Sequence, residues 1–131
     1  MPFSTLPRKV KKKRSPEVAV AVALVVREGA LLLAKRPAKG LLASMWAPPA
    51  VEGGDARALA KAHGVRVGEE VAAWRHVFTH RVWNARAYRC EVRGAIEESE
   101  SRRLVRLEDL GAAGIPTAFR PAVAAAADAT R

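Results

Sequence analysis

The 131 residues carry 23 Lys and Arg against 13 Asp and Glu, a formal charge of +10, and 50% of them are hydrophobic. That length suits one domain rather than two, and the apolar half, much of it Ala and Val, excludes a chain disordered throughout. The basic balance fits a protein that meets phosphate or another anionic surface, while Cys90, the single cysteine, excludes an internal disulfide and a cysteine-built metal cluster.

The charge is uneven. Arg8, Lys9, Lys11, Lys12, Lys13 and Arg14 lie among the first fourteen residues with no acid, so they supply six of the net ten charges and leave the body mildly basic. Pro2, Pro7 and Pro16 flank this run, a composition that resists packing. Residues 1–16 are therefore expected to form a flexible arm or linker, and 17–131 the domain. In the arm, Lys11, Lys12, Lys13 and Arg14 are the candidate contacts to a nucleic-acid backbone, the alternative being a solvated tail. No apolar run approaches the roughly 20 residues of a membrane span, and Ser15-Pro16-Glu17 interrupts any signal-peptide core. The expectation is a soluble, cytoplasmic, nucleoid-associated protein with no membrane partner.

Glu17 to Arg27 is Val-rich and apolar on both faces, Glu28-Gly29 is a turn, and Ala30 to Arg36 is apolar again, which predicts two strands joined as a hairpin. Pro37 to Gly40 breaks the second strand. Leu41 to Ala50, with Met45, Trp46, Pro48 and Pro49, reads as an irregular loop anchored by Trp46. Asp55 is an N-cap signal for a short helix over Ala56 to His63, with Leu59 inward and Gly64 as its stop. Val65 to Glu70 reads as a link. Val71 to Thr79 and Val82 to Val92 predict an antiparallel pair with His80-Arg81 at the tip, and Gly94 to Arg103 a charged loop. Leu104 to Leu107 predicts a short strand, Glu108 to Leu110 a helical turn, and Ile115-Pro116-Thr117 the cap of an Ala-rich last helix with Pro121 in its first turn.

One stretch stands out. Trp74 to Trp83 holds three of the chain's seven aromatic residues together with His76, His80, Arg75, Arg81 and Thr79, groups that stack and hydrogen-bond. His76 and His80 are spaced i, i+4, but on a strand rising about 3.3 Å per residue they stand roughly 13 Å apart, which speaks against a shared metal. Phe78 is either core or an exposed ring; if it faces the core, Thr79 faces out. Arg75, Arg81, Arg86 and Arg89 either track phosphates or solvate a strand face. Trp74 and Trp83 read as packing residues and Cys90 as a small buried hydrophobe.

The order of strands, Trp-containing loop, Gly53-Gly54, and a short helix ending Gly64-Val65 resembles the Nudix family. The resemblance implies an α+β fold, a mixed β-sheet sandwiched between short helices. Its pyrophosphohydrolases carry a box ending Arg-Glu-hydrophobic-x-Glu-Glu-x-Gly-hydrophobic, whose glutamates hold magnesium. The matching segment, Arg57-Ala58-Leu59-Ala60-Lys61-Ala62-His63-Gly64-Val65, keeps the scaffold positions and none of the carboxylates. Magnesium needs oxygen ligands, so hydrolysis would fall to carboxylates elsewhere, such as Glu52, Glu69 or Glu70.

Within that fold, the chain resembles the C-terminal domain of MutY-type adenine DNA glycosylases over about Lys11 to Val123. The segments that carry this likeness are Leu31 to Pro37, Gly40 to Pro49, His76-Val77-Phe78-Thr79-His80, Val105 to Leu110 and Ile115 to Arg120. The family has a Phe-Ser/Thr-His signature where Phe78-Thr79-His80 stands, and that domain recognises 8-oxoguanine opposite adenine without doing chemistry itself. The resemblance implies Phe78 as a wedge beside the base, Thr79 at the lesion edge and His80 orienting the turn or approaching the lesion; of the neighbouring arginines, Arg75 and Arg81 are the candidate contacts to the DNA backbone. It implies duplex DNA containing 8-oxoguanine opposite adenine as partner, and a helical glycosylase domain, in cis or in trans, that holds the catalytic carboxylates and the iron–sulfur cluster. No catalytic residue, metal or cofactor is then expected in this chain. The competing expectations are a divergent Nudix pyrophosphohydrolase acting on oxidised nucleotides and a general basic nucleic-acid-binding module.

Overall fold

The computed structural model describes residues 16–129. Lys11, Lys12, Lys13 and Arg14 of the expected basic arm lie outside the described residues. Two sheets form the body. In the first, strands β1 (Glu17–Leu24), β5 (Ala50–Glu52), β6 (Arg66–Val77) and β7 (Val82–Glu91) lie in the order β5-β1-β7-β6. Strand β1 runs parallel to β7, from Glu17 opposite Val82 to Leu24 opposite Arg89, whereas β5 and β6 are antiparallel to their neighbours. The second sheet joins β2 (Val26–Arg27), β3 (Ala30–Lys35) and β4 (Trp46–Ala47), with β8 (Arg102–Arg106) on the other side of β3.

The double-faced apolar pattern of Glu17 to Arg27 marks a strand covered on both sides. Val20, Val22 and Leu24 face one core cluster with Trp83, Phe119 and Ala122, while Ala21 and Ala23 face another with Leu59, Val65 and Cys90. The expected long hairpin is thereby corrected. The strand ends at Leu24, and after Val25 only β2 turns back on β3. Glu28 (φ +52°) and Gly29 (φ +79°) make that turn, two successive positive φ values in the mirror-image geometry that suits a tight hairpin. Strand β1 instead crosses into the first sheet, where burial on both faces is possible.

Helix α1 (Ala56–His63) covers the second cluster through Leu59, which is wholly buried. The side chain of Asp55 accepts from the Ala58 N–H at 3.0 Å, and Gly64 stops the helix at φ +64°. Helix α2 (Arg120–Ala129), entered through a 3₁₀ turn at Thr117–Phe119, covers the first cluster with Ala122 and Ala126, and Pro121 sits in its first turn. The helices thus flank a mixed sheet on opposite faces, as the resemblance implied.

Three further boundaries differ from expectation. Strand β6 begins at Arg66, not Val71; register shifts between Val67 and Glu70 and between Glu70 and Ala72 break the alternation by which a sequence shows a strand. A Cβ on Gly68 would stand 2.8 Å from the Arg89 carbonyl oxygen, so the bulge needs a residue without one. The loop from Leu41 to Ala50 contains β4 and the first residue of β5, strands of two and three residues separated by Pro48-Pro49 and too short to show a period. Strand β8 starts within the charged segment, at Arg102, and Leu107–Ala112 continues as a 3₁₀ helix. No described helix is long and apolar enough to cross a membrane.

Candidate functional site

The β6–β7 turn is closed by the Phe78 N–H donating to the Arg81 carbonyl at 2.8 Å. Its residues divide by burial. Phe78 is half-buried against the first core cluster, and Thr79 and His80 are exposed. The rings beneath form a ladder of edge-to-face contacts. His76 meets Phe78 with centroids 4.6 Å apart, Phe78 meets Trp83 at 5.0 Å, and Trp83 meets Phe119 at 5.4 Å. Trp83 and Phe119 are fully buried, so the exposed tip stands on a column of rings anchored in the core.

A charged cluster braces this column. Glu52, at the end of β5, accepts from Arg81 Nη1 at 2.8 Å and from the Trp83 indole N–H at 3.3 Å through Oε1, and from Arg36 Nη2 at 3.1 Å through Oε2. The Arg36 guanidinium lies 5.5 Å from the Trp83 ring and 5.6 Å from the Phe119 ring, within cation–π range of both. Burial pulls its pKa below the usual arginine value, and the neighbouring Glu52 carboxylate opposes that shift. The loop after β3 is shaped around this guanidinium. Leu42 and Ser44 take left-handed φ of +56° and +60°, and the Leu41 carbonyl accepts from Arg36 Nε at 3.2 Å.

Of the residues singled out in the sequence, Phe78, Thr79, His80 and Arg81 come together at the tip. Arg75 is exposed on β6 two residues before Val77, which is itself 60% exposed. Arg81 is bound to Glu52 but keeps 42% of its side chain exposed. Arg86 and Arg89 pair with Glu70 and Glu69 at 2.9 and 3.5 Å. Trp74 is half-buried, its indole N–H donating to the Ala118 carbonyl at 2.9 Å. Trp46 is half-buried, with the Arg103 guanidinium 3.9 Å from its ring centroid. Arg36 and Phe119 do not stand out in the sequence as site residues, and Glu52 does so only as a possible stand-in for a metal-binding carboxylate. Their local signal is slight: Arg36 directly follows β3 and precedes Pro37, and Glu52 ends β5 before Gly53.

The donor set around α1 does not suit the divalent cation that Nudix hydrolases hold there. The helix carries Arg57, Lys61 and His63 and no acid. Of the two acids just before it, Asp55 caps the backbone and Glu52 is engaged by two arginines. Hard cations take several carboxylate or carbonyl oxygens, and among the described residues no three His, Cys, Asp or Glu side chains gather as metal ligands.

Solved structures share this architecture. The chain is similar to the MutT protein of Methanosarcina mazei Go1, at 20% identity and a TM-score of 0.69 over 89% of this chain and 97% of that one. It is similar to a MutT Nudix hydrolase of Burkholderia pseudomallei, at 21% identity and a TM-score of 0.66 over 84% of this chain and 98% of that one. The C-terminal domain of mouse MUTYH, solved in complex with human PCNA, matches at 19% identity and a TM-score of 0.63 over 89% and 90% of the two chains. These likenesses are of fold. The family model described as the Nudix domain matches residues 21–125, most of the chain, and the protein belongs to the Nudix family.

Proposed function

We propose that this chain is a lesion-recognition domain of the adenine DNA glycosylase type, reading 8-oxoguanine opposite adenine in duplex DNA and leaving base excision to a separate helical domain. The observation that carries this reading is the β6–β7 tip, where Thr79 and His80 are exposed next to Phe78, a rung of the ring ladder between His76 and Trp83, on a Nudix fold whose α1 bears no acid. Discriminating 8-oxoguanine from guanine requires polar contact to an oxygen at C8 and a proton on N7. The Thr79 hydroxyl and the backbone of the turn offer a donor and acceptors of that kind. Phe78 serves as the apolar wedge between base steps, and Arg75 and Arg81 face the backbone phosphates.

Affinity for duplexes with 8-oxoguanine opposite adenine, compared with guanine opposite adenine, tests the proposal. The domain alone binds weakly with a preference for the lesion, and Thr79→Ala or Phe78→Ala reduces the preference; equal affinity for the two wild-type complexes refutes it. Removing residues 1–14 lowers affinity for both duplexes and flattens the salt dependence, because phosphate contacts release counterions without reading bases. Loss of the preference alone on that truncation would reassign the reading to the arm. Magnesium-dependent release of pyrophosphate from 8-oxo-dGTP, abolished on neutralising Glu69 and Glu70, would replace the proposal with a Nudix hydrolase of unusual ligand set.

A further inference from the structure

Glu52 is the meeting point of three separate segments. Its carboxylate joins Arg36 after β3, Arg81 in the β6–β7 turn and Trp83 in β7, while its backbone stands opposite Val20 in the β5–β1 pairing. Oxygen Oε1 is shared by Arg81 and Trp83, so the tip's cation and its buried ring are fixed to one atom. We infer that Glu52 is a positioning residue for lesion discrimination: it touches no base and orients Arg81, and through Arg81 the turn that presents Thr79 and His80. The inference rests on the proposed lesion reading and adds to it a residue remote from the tip in sequence.

The physical case has two parts. A long, half-exposed arginine at a loop tip samples many rotamers, and fixing it in advance removes an ordering cost from binding. Arg81 spends Nη1 on Glu52 while 42% of its side chain remains open to solvent, so the guanidinium is tethered at one nitrogen and still accessible. The second carboxylate oxygen is held by Arg36, whose side chain is 11% exposed and lies against Trp83 and Phe119. One oxygen of Glu52 is thus anchored to a buried arginine while the other engages the turn. Two arginines on one carboxylate leave the cluster with net positive charge, which is compatible with an approaching phosphate or an electron-rich base edge.

The full chain with Glu52→Gln separates positioning from simple electrostatics. Loss of a negative charge should leave affinity for the guanine duplex equal or raised, while lesion preference falls; a preference that falls without a fall in that affinity is not what a merely destabilised fold produces. Glu70→Gln, which removes an equal charge from the exposed pair with Arg86, should leave the preference intact. In an Arg81→Gln background, Glu52→Gln should lower the preference no further, the coupling expected of residues acting as one unit.

Amide hydrogen exchange reads the same device without DNA. Glu52→Gln should speed exchange of the Phe78 N–H, which bonds to Arg81, by about tenfold or more, with the central β1–β7 amides unchanged. Unaltered exchange at Phe78, or an unaltered lesion preference in a folded Glu52→Gln protein, overturns the inference. Equal affinity of the wild type for both duplexes refutes the lesion reading alone, and the exchange measurement still decides whether Glu52 holds the turn.

Discussion

The indole N–H of Trp74 donates to the backbone carbonyl of Ala118 across 2.9 Å, joining edge strand β6 to the 3₁₀ turn that leads into α2. The bond links residues 44 positions apart in the chain and keeps the last helix against the strand that carries the tip. Trp74→Phe retains most of the ring and removes the donor, and is expected to cost about 1–2 kcal/mol, the range for a partly buried acceptor left unpaired. A lowered denaturant midpoint with unchanged m-value would register it.

Phe78 packs edge-to-face on Trp83 and is the wedge of the proposed lesion reading, and two substitutions separate the packing from that proposed role. Phe78→Ala removes an edge-to-face partner of Trp83 and is expected to cost about 1–2 kcal/mol for a half-buried ring. Phe78→Leu keeps most of the apolar volume. In melting experiments with parallel binding assays, the leucine variant should regain much of the stability but only part of the lesion preference, because it offers a base a smaller and non-aromatic surface.

Asp55 gives α1 a pH dependence of known sign. The hydrogen bond from the Ala58 N–H is the main cause that holds its carboxyl below its usual value. A depressed carboxylate contributes stability that is present above its ordinary pKa and is lost as pH falls through the lower folded value. Asp55→Ala should therefore lower the melting temperature at neutral pH, and the difference from wild type should shrink below the normal carboxylate range. Asp55→Asn, which caps without titrating, should remain near wild type at neutral pH and lose the acid-side dependence.

Much of the fold was legible because its signals are local. Asp55, Leu59 and Gly64 mark the start, inner face and end of α1 within ten residues, and the alternation of Val82 to Glu91 marks β7. The partners of β1 were not legible, since apolar residues on both faces tell that a strand is central and not which strands flank it. The start of β6 was hidden by bulges that interrupt its alternation. At the site, Phe78-Thr79-His80 was legible as a contiguous cluster. Its brace was not, because Glu52 lies 29 residues from Arg81 and 16 from Arg36, and a charge beside a glycine turn looks like ordinary surface.

Cys90 offers a probe of the other core. Burial raises its thiol pKa, against smaller lowering effects from the Leu24 and Gly68 backbone, and its side chain lies in the cluster with Leu59 and Val65. A raised thiol contributes stability that is present below the ordinary thiol pKa and is lost as pH rises through the folded value. Alkylation by iodoacetamide should be roughly a hundredfold slower in the native chain than in denaturant. Cys90→Ala should remove the alkaline fall in stability and cost about 1 kcal/mol from the smaller side chain.

Helix α1 is held by a cap, one buried leucine and a left-handed glycine, while Lys61 and Ala62 are exposed. Alanine and lysine are good helix formers, so the outward side of this helix has a sequence that the fold itself does not dictate. Structural tolerance and chemical capacity are thus uncoupled at that surface: carboxylates can be introduced at 61 and 62 or left out with little change in folding. The Nudix architecture can in this way gain or lose acidic side chains on this helix without redesign of its core.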